Sequence, residues 1–458
     1  MAVAVIGGGV TGLAAAYRLQ TLGFDPTVYE AGQRPGGVVG TERRDGFLAE
    51  TGPNSLTTPK PSVAALLTEL GLGDRLLEAS PAGRKRYIVR DGRLTPLPAS
   101  PIELVTSSVF SFGAKLALLR EPFVPPSDPA VEESVADFVR RRLGAEPLDY
   151  VAGPFVSGIY AGDPEALSLR HALPRVHALE QEHGSLIAAA VSQARARRRR
   201  RSGGSLSRIL SFPTGMGELT EALTQRLGNR IRCGTPVLGV ARRGASWMVT
   251  TGGGESRFEG VVFAGPAYAF DELAFDCEGG TRLRELAAVP YAPVGVVVLG
   301  FPRGAVAHPL DGFGVLIPAV ERRRVLGVLF SSSVFPGRAP DHHVTLTTFV
   351  GGTRQAELTR LTPEALVALA SEELTHLVGA FGEPAFQHVV VWPQAIPQYV
   401  VGYGRWLDLL DQVESANPGL ALAGAYRDGV SLGEALSSGL AAGDRLGLQL
   451  GGAGPSLR

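Results

Sequence analysis

Cysteine is nearly absent: Cys233 and Cys277 are the only two in 458 residues. They form no CxxC spacing and have no paired histidines, which excludes a disulfide scaffold and a cysteine zinc site. Such scarcity fits a reducing cytoplasm. Net charge is absent too. Forty-four basic residues balance 44 acidic ones, so the surplus of positive charge that carries nucleic-acid binding is missing. No run of about 18 apolar residues occurs, and no transmembrane helix is expected. The longest apolar stretches, residues 186–191 and 294–299, suit core elements. Met1 leads directly into Val3-Ala4-Val5-Ile6, so neither a signal peptide nor a transit sequence is expected. The length is enough for large cores in two or three domains.

Glycine, by contrast, is plentiful at 59 residues, and its placement at the start of the chain is informative. The strand-like Val3-Ala4-Val5-Ile6 runs into Gly7-Gly8-Gly9-Val10-Thr11-Gly12, and a helix-like run follows from Leu13. Gly7 permits a tight turn, Gly9 lets backbone approach a pyrophosphate, and Gly12 lets helix pack closely on strand. The helix N-terminus offers free N–H groups and a positive dipole end to that pyrophosphate. A second strand, Thr27-Val28-Tyr29, ends in Glu30, about 20 residues on, where a carboxylate can accept both adenosine ribose hydroxyls. The register of all these parts predicts dinucleotide binding.

The residues that follow favour FAD over NAD. Arg34 precedes the pair Gly36-Gly37 just past the ribose acid, a pattern of flavoproteins that bind FAD extended. Arg34 would add positive charge near the phosphates, and the glycines would let a loop cross the cofactor closely. A polar turn, Gly52-Pro53-Asn54-Ser55, breaks a short strand at Phe47-Leu48-Ala49-Glu50. At the far end of the chain, Leu420-Ala421-Leu422-Ala423-Gly424-Ala425 reads as another buried strand. The run from Tyr426 through Val430, Ser431 and Leu432 then opens a helix whose dipole can stabilise charge on a reduced flavin.

These pieces predict an α/β protein with a discontinuous Rossmann-like FAD-binding domain built from residues 1–80, 205–290 and 405–458. Residues 291–404 are β-rich and suit an antiparallel substrate domain. Residues 81–204 read as a mainly helical insertion. Within it, the run Arg195-Ala196-Arg197-Arg198-Arg199-Arg200-Arg201 is expected as a solvated loop. The mixed apolar residues 104–119 are expected as an amphipathic helix. A peripheral contact of either segment with the inner face of the cell membrane is the alternative. No metal site is expected, and no His–Asp or Ser–His constellation marks a catalytic base.

Several strings together resemble the protoporphyrinogen oxidase family of flavoproteins, in order along residues 1–445. They are the N-terminal fingerprint, Gly52-Pro53-Asn54-Ser55, Ser157-Gly158-Ile159-Tyr160-Ala161-Gly162-Asp163, Gly312-Phe313-Gly314-Val315-Leu316-Ile317-Pro318, Ile396-Pro397-Gln398-Tyr399, and the stretch from Gly424 to Gly439. The resemblance implies an FAD- and O2-dependent six-electron oxidation of protoporphyrinogen IX to protoporphyrin IX in haem biosynthesis, with hydrogen peroxide released. Coproporphyrinogen III as substrate and a flavin amine oxidase remain the alternatives. By position, FAD would be held by Gly7, Gly8, Gly9, Val10, Thr11 and Gly12, by Glu30, Arg34, Gly37 and Val38, and by Gly52, Pro53, Asn54 and Ser55. Val237 would contact the adenosine side; Ala425, Val430, Ser431 and Leu432 would contact the flavin side. Arg86 would pair with a propionate, the Gly158 carbonyl would face pyrrole N–H groups, and Leu316 and Phe349 would sandwich the macrocycle. Ala425 and the pair Glu434-Ala435 depart from the family pattern. A monomer and a homodimer are both left open.

Overall fold

The structure is a computed structural model and describes residues 1–98, 103, 107–128, 130–199 and 208–451. Its first layer is a five-stranded parallel sheet in the order Ile231–Arg232, Asp25–Tyr29, Ala2–Ile6, Gly260–Phe263, Leu420–Leu422. Ala2–Ile6 lies in its centre, which is why it reads as an unbroken apolar run: both faces are covered. Val3 and Val5 pack against helices Val10–Thr21, Gly217–Leu227 and Leu432–Gln449, while Ala4 and Ile6 join the opposite core with Trp247 and Phe263. That second core is backed by a four-stranded sheet, Gly254–Phe258, Ser246–Thr251, Val237–Arg243 and Ala274–Asp276. The fold is the expected α/β dinucleotide type, with its last strand and helix supplied from the far end of the chain.

The second layer is a seven-stranded sheet: Phe386–Pro397, Tyr291–Pro302, His343–Gly351, Gly327–Leu329, Gly314–Leu316, Tyr87–Arg90, Arg93–Pro96. Its pairs are antiparallel except Gly314–Leu316 with Tyr87–Arg90, which run parallel. Residues 87–96 therefore depart from the helical reading of their region. The start of a strand is readable at Tyr87-Ile88-Val89, but its partners are not: Tyr87 and Ile88 pair with Val315 and Leu316, more than 220 residues away in sequence.

Helices do dominate residues 112–199: Phe112–Arg120, Val135–Arg142, Gly153–Tyr160, Pro174–His183 and Leu186–Arg199. The first part of the arginine run is the end of that last helix, not a loop; Arg200 and Arg201 lie outside the described residues, as do most of residues 99–106. The 186–191 stretch is amphipathic and not wholly core, with Ala189 buried and Ile187 and Val191 exposed. Buried charge holds the bundle together. Arg142 and Glu121 have fully buried side chains 2.7 Å apart, Glu180 bonds the same guanidinium, and Glu121 accepts the N–H groups of Leu186 (2.8 Å) and Ile187 (3.2 Å). Phe112, Leu119 and Phe123 stand outward from this region, 83%, 70% and 86% exposed. Among the described residues, no helix is long and apolar enough to cross a membrane.

Candidate functional site

The glycine-rich turn is built as its spacing requires. Gly7 holds φ at +103°, a region that only glycine enters without strain, and its N–H donates to the Tyr29 carbonyl at 2.8 Å. At Gly12 a β-carbon would lie 1.9 Å from the Gly7 carbonyl oxygen, so the first helix could not seat on the strand with any other residue there. Val10 and Thr11 form the buried first turn of that helix. Glu30 closes the turn from the next strand: one carboxylate oxygen accepts the Gly8 N–H and the other the Gly32 N–H, each at 2.7 Å. Each oxygen keeps a lone pair for a further donor.

The loop after Glu30 crosses this turn. The Gly36 N–H donates to the Gly8 carbonyl at 2.7 Å, and Gly37 follows at φ +58°. Arg34 bonds the carbonyls of Gly37 (3.1 Å), Pro35 (3.3 Å) and Val39 (3.4 Å), so its guanidinium stiffens the loop. Val237 begins a strand two residues beyond Thr235, whose N–H donates to the Glu30 carbonyl at 2.9 Å. These residues make one end of the site.

The other end is a cavity of about 460 Å³ between the two layers. Val38, Gly52, Pro53, Asn54 and Ser55 line it from one side, and Val430, Ser431 and Leu432 from the N-terminus of the 18-residue helix Leu432–Gln449. Ser431 caps that helix by accepting the Glu434 N–H at 3.2 Å. Ala425 starts the short helix before it and its carbonyl accepts the Tyr399 hydroxyl; it does not line the cavity. Arg86, Gly158, Leu316 and Phe349 all face the same cavity from the sheet and from helix Gly153–Tyr160.

Leu316 and Phe349 are both register partners of Gly327, on either side of it. The two side chains thus stand on one face of the sheet about 10 Å apart, two strand spacings, with a glycine between them. That leaves a slot. The charge count is equally plain. Among the residues lining the cavity, Arg86 is the one with a formal charge; it has no carboxylate partner among the described residues, and its guanidinium lies 5.6 Å from the Phe313 ring centroid. Neighbouring Lys85 is spent on Asp311 at 2.7 Å.

Phe313, Trp392 and Ala395 are among the wall residues that sequence reasoning missed. Phe313 stood inside a quoted motif, but nothing local showed which side of the sheet its ring takes. Glu50 was also missed. It is buried beside the flavin-side turn and accepts from the Thr41 hydroxyl (2.6 Å) and the Met216 N–H (3.0 Å). Burial pushes its carboxyl above the usual range, with those bonds and Arg338 opposing the shift.

A glycine-rich turn of dinucleotide-binding form at one end and a largely apolar cavity at the other fit an FAD-dependent oxidoreductase: the adenosine half of such a cofactor would need the turn and the flavin half the cavity. The description "flavin containing amine oxidoreductase" matches residues 10–446. Protoporphyrinogen oxidase 2, chloroplastic/mitochondrial, of Arabidopsis thaliana is 35% identical over 473 residues, covering 96% of this chain and 93% of the relative. Coproporphyrinogen III oxidase of Bacillus subtilis (strain 168) is 28% identical over 462 residues, covering 96% of each. A crystal structure from Exiguobacterium sp. 255-15, provisionally assigned as a protoporphyrinogen oxidase, matches with a TM-score of 0.82 at 26% identity over 98% of this chain and 99% of that one. The chain belongs to the flavin-containing amine oxidoreductases and, within them, to the protoporphyrinogen oxidase family.

Proposed function

We propose that this enzyme oxidises protoporphyrinogen IX to protoporphyrin IX in haem biosynthesis, removing six electrons in three two-electron steps. Dioxygen takes the electrons, and each step releases one hydrogen peroxide. The observation that carries this reading is the cavity itself. Its slot between Leu316 and Phe349 suits a large apolar disc, and it opens beside both flavin-side loops. A single cation on its wall suits the substrate with the fewest acid arms. Each further carboxylate drawn in without a partner would cost several kcal/mol, which favours the two-propionate porphyrinogen over the four-propionate coproporphyrinogen III.

When bound, FAD supplies the hydride acceptor. The chain's own residues bind, orient and keep the chamber dry. Arg86 pairs with a propionate, held at the wall by the Phe313 ring. Gly158 lies against Leu316, where a β-carbon would approach to 3.0 Å; its lack of a side chain leaves its backbone open to the pyrrole N–H groups. No acid–base side chain is required where the developing positive charge spreads over the ring system; positioning and exclusion of water supply the acceleration.

The test runs protoporphyrinogen IX and coproporphyrinogen III side by side with the yellow holoenzyme, reading porphyrin fluorescence and O2 uptake. Faster turnover of the dicarboxylic substrate is expected. Preference for coproporphyrinogen III would overturn the charge argument, and inertness towards both with full FAD occupancy would overturn the reading as a whole.

A further inference from the structure

The two layers are tied at one point of the cavity wall by residues that neither the motifs nor the chemistry above uses. Trp392 sits on the edge strand Phe386–Pro397, where the register with Tyr291–Pro302 breaks: Val294 pairs with Trp392 but Ala292 with Ile396. The residues between are a bulge, the device that re-aims a side chain beside a functional site. Here it leaves the Trp392 indole on the cavity wall with its Nε1–H donating to the Thr51 carbonyl at 2.7 Å.

Thr51 is a knot. Its N–H donates to the Gly40 carbonyl at 2.9 Å, and its hydroxyl lies 3.0 Å from the Val38 carbonyl and 3.1 Å from that of Gly40. Its carbonyl takes Trp392. The next residue, Gly52, is pressed so close to Val38 that a β-carbon would stand 2.4 Å from the Val38 oxygen. Val38 and residues 52–55 form the flavin-side wall, while Trp392, Ala395 and Ile396 belong to the sheet that also bears Leu316 and Phe349.

We propose that Trp392 is a positioning residue: through Thr51 it fixes the spacing between the flavin-side turn and the sheet that receives the substrate. An indole N–H bonded to a carbonyl on a sheltered wall holds that spacing more firmly than apolar contact does, because hydrogen bonds are directional and apolar contact is not. Hydride transfer is steeply sensitive to such spacing, so Trp392 acts on the rate of the chemical step and not on substrate affinity. The turnover part of this inference rests on the porphyrinogen reading; the flavin part does not.

Trp392→Phe keeps an aromatic wall and removes the donor. The expected result is a kcat reduced roughly ten- to a hundredfold, the loss that a displacement of about 1 Å produces. KM should stay within about twofold, the signature of an interaction that acts in the transition state alone. The visible circular dichroism of the bound flavin should change, and a deuterium isotope effect at the meso carbon should rise. Thr51→Val, which keeps the carbonyl and removes the hydroxyl side of the knot, should give the same signature. The double variant should cost no more than the worse single one, because both act through one element. An unchanged kcat, a rise in KM alone, or an unaltered flavin dichroism would each overturn the proposal. Should the wild type oxidise neither porphyrinogen, the substrate reading falls, while dichroism of the two variants still decides the role of Trp392.

Discussion

Arg86 holds the one formal charge on the described cavity wall, and the ring of Phe313 lies 5.6 Å from its guanidinium. Such stacking is worth about 0.5–2 kcal/mol and restricts where the guanidinium can go. A carboxylate at the end of a propionate arm is remote from the carbon that reacts, so its pairing is felt equally in the ground and transition states. Arg86→Ala is therefore expected to raise KM roughly tenfold or more while kcat changes little. Steady-state kinetics with protoporphyrinogen IX and its dimethyl ester check this: the ester should show the same KM with either enzyme. A fall in kcat alone would give Arg86 a different task. At this scale the residue pattern by itself was informative only where neighbours in the chain are neighbours in space; Arg86, Gly158, Leu316 and Phe349, which share one cavity, were named through the family resemblance. Gly7, Gly12 and Glu30 can be read because a strand, a turn and a helix are continuous. Phe313 and Trp392 cannot, because their orientation is settled by strands paired across the sheet.

Single elements carry a different kind of information. Helix Val135–Arg142 falls within the region that reads as mainly helical, and Ser134 caps it by accepting the Asp137 N–H at 3.0 Å. Nothing in its pattern shows that Arg142 points inward; a buried arginine is visible only once Glu121 and Glu180 close on it from two other segments. Burial by itself would raise the Glu121 carboxyl, but the Ser185 hydroxyl, the Leu186 and Ile187 N–H groups and Arg142 outweigh it and hold the pKa below the usual carboxylate range. Glu180 is lowered in the same way, burial being outweighed by bonds from Arg142 and Arg141. A carboxyl whose pKa is lowered on folding contributes stability above its unfolded value, about 4.3, and that contribution is lost as pH falls through the folded value. The helical region should therefore open first on acidification below about pH 4, with hydrogen exchange at Leu186 and Ile187 accelerating ahead of the central sheet. Glu121→Gln should bring the same opening at neutral pH, because it leaves Arg142 buried with one partner fewer, a change that costs about 3–5 kcal/mol. Exchange at those amides that is unchanged in the variant would refute the capping role of Glu121.

Across the whole molecule, the decisive contact is between the two ends of the chain. Helices Val10–Thr21 and Leu432–Gln449 approach so closely that a β-carbon on Gly439 would lie 2.0 Å from the Thr11 carbonyl oxygen and one on Gly443 would lie 2.9 Å from the Arg18 side chain. Strand Leu420–Leu422 completes the same sheet that Ala2–Ile6 begins. The sequence announced this closure because each end carries a strand, a glycine and a helix, and neither half could hold a flavin dinucleotide alone. It did not announce that the strand after Arg86 joins the seven-stranded sheet, because its partner there, Gly314–Leu316, lies far along the chain. From the closure follows a prediction about cofactor removal. In the placement proposed above, FAD would span the glycine-rich turn of the first helix and the Val430–Leu432 wall at the start of the last, and its binding free energy would act on both ends together. With free FAD at a hundred times its dissociation constant, that contribution is about 2.7 kcal/mol, enough to raise the melting temperature by several degrees. Hydrogen exchange of apo and FAD-bound protein should lose and regain protection at residues 7–12, 36–39, 52–55 and 430–435 as one unit, with the outer strands of the seven-stranded sheet little affected. Protection that changes at the N-terminal turn while the 430–435 segment stays still would show that the two ends do not share one ligand.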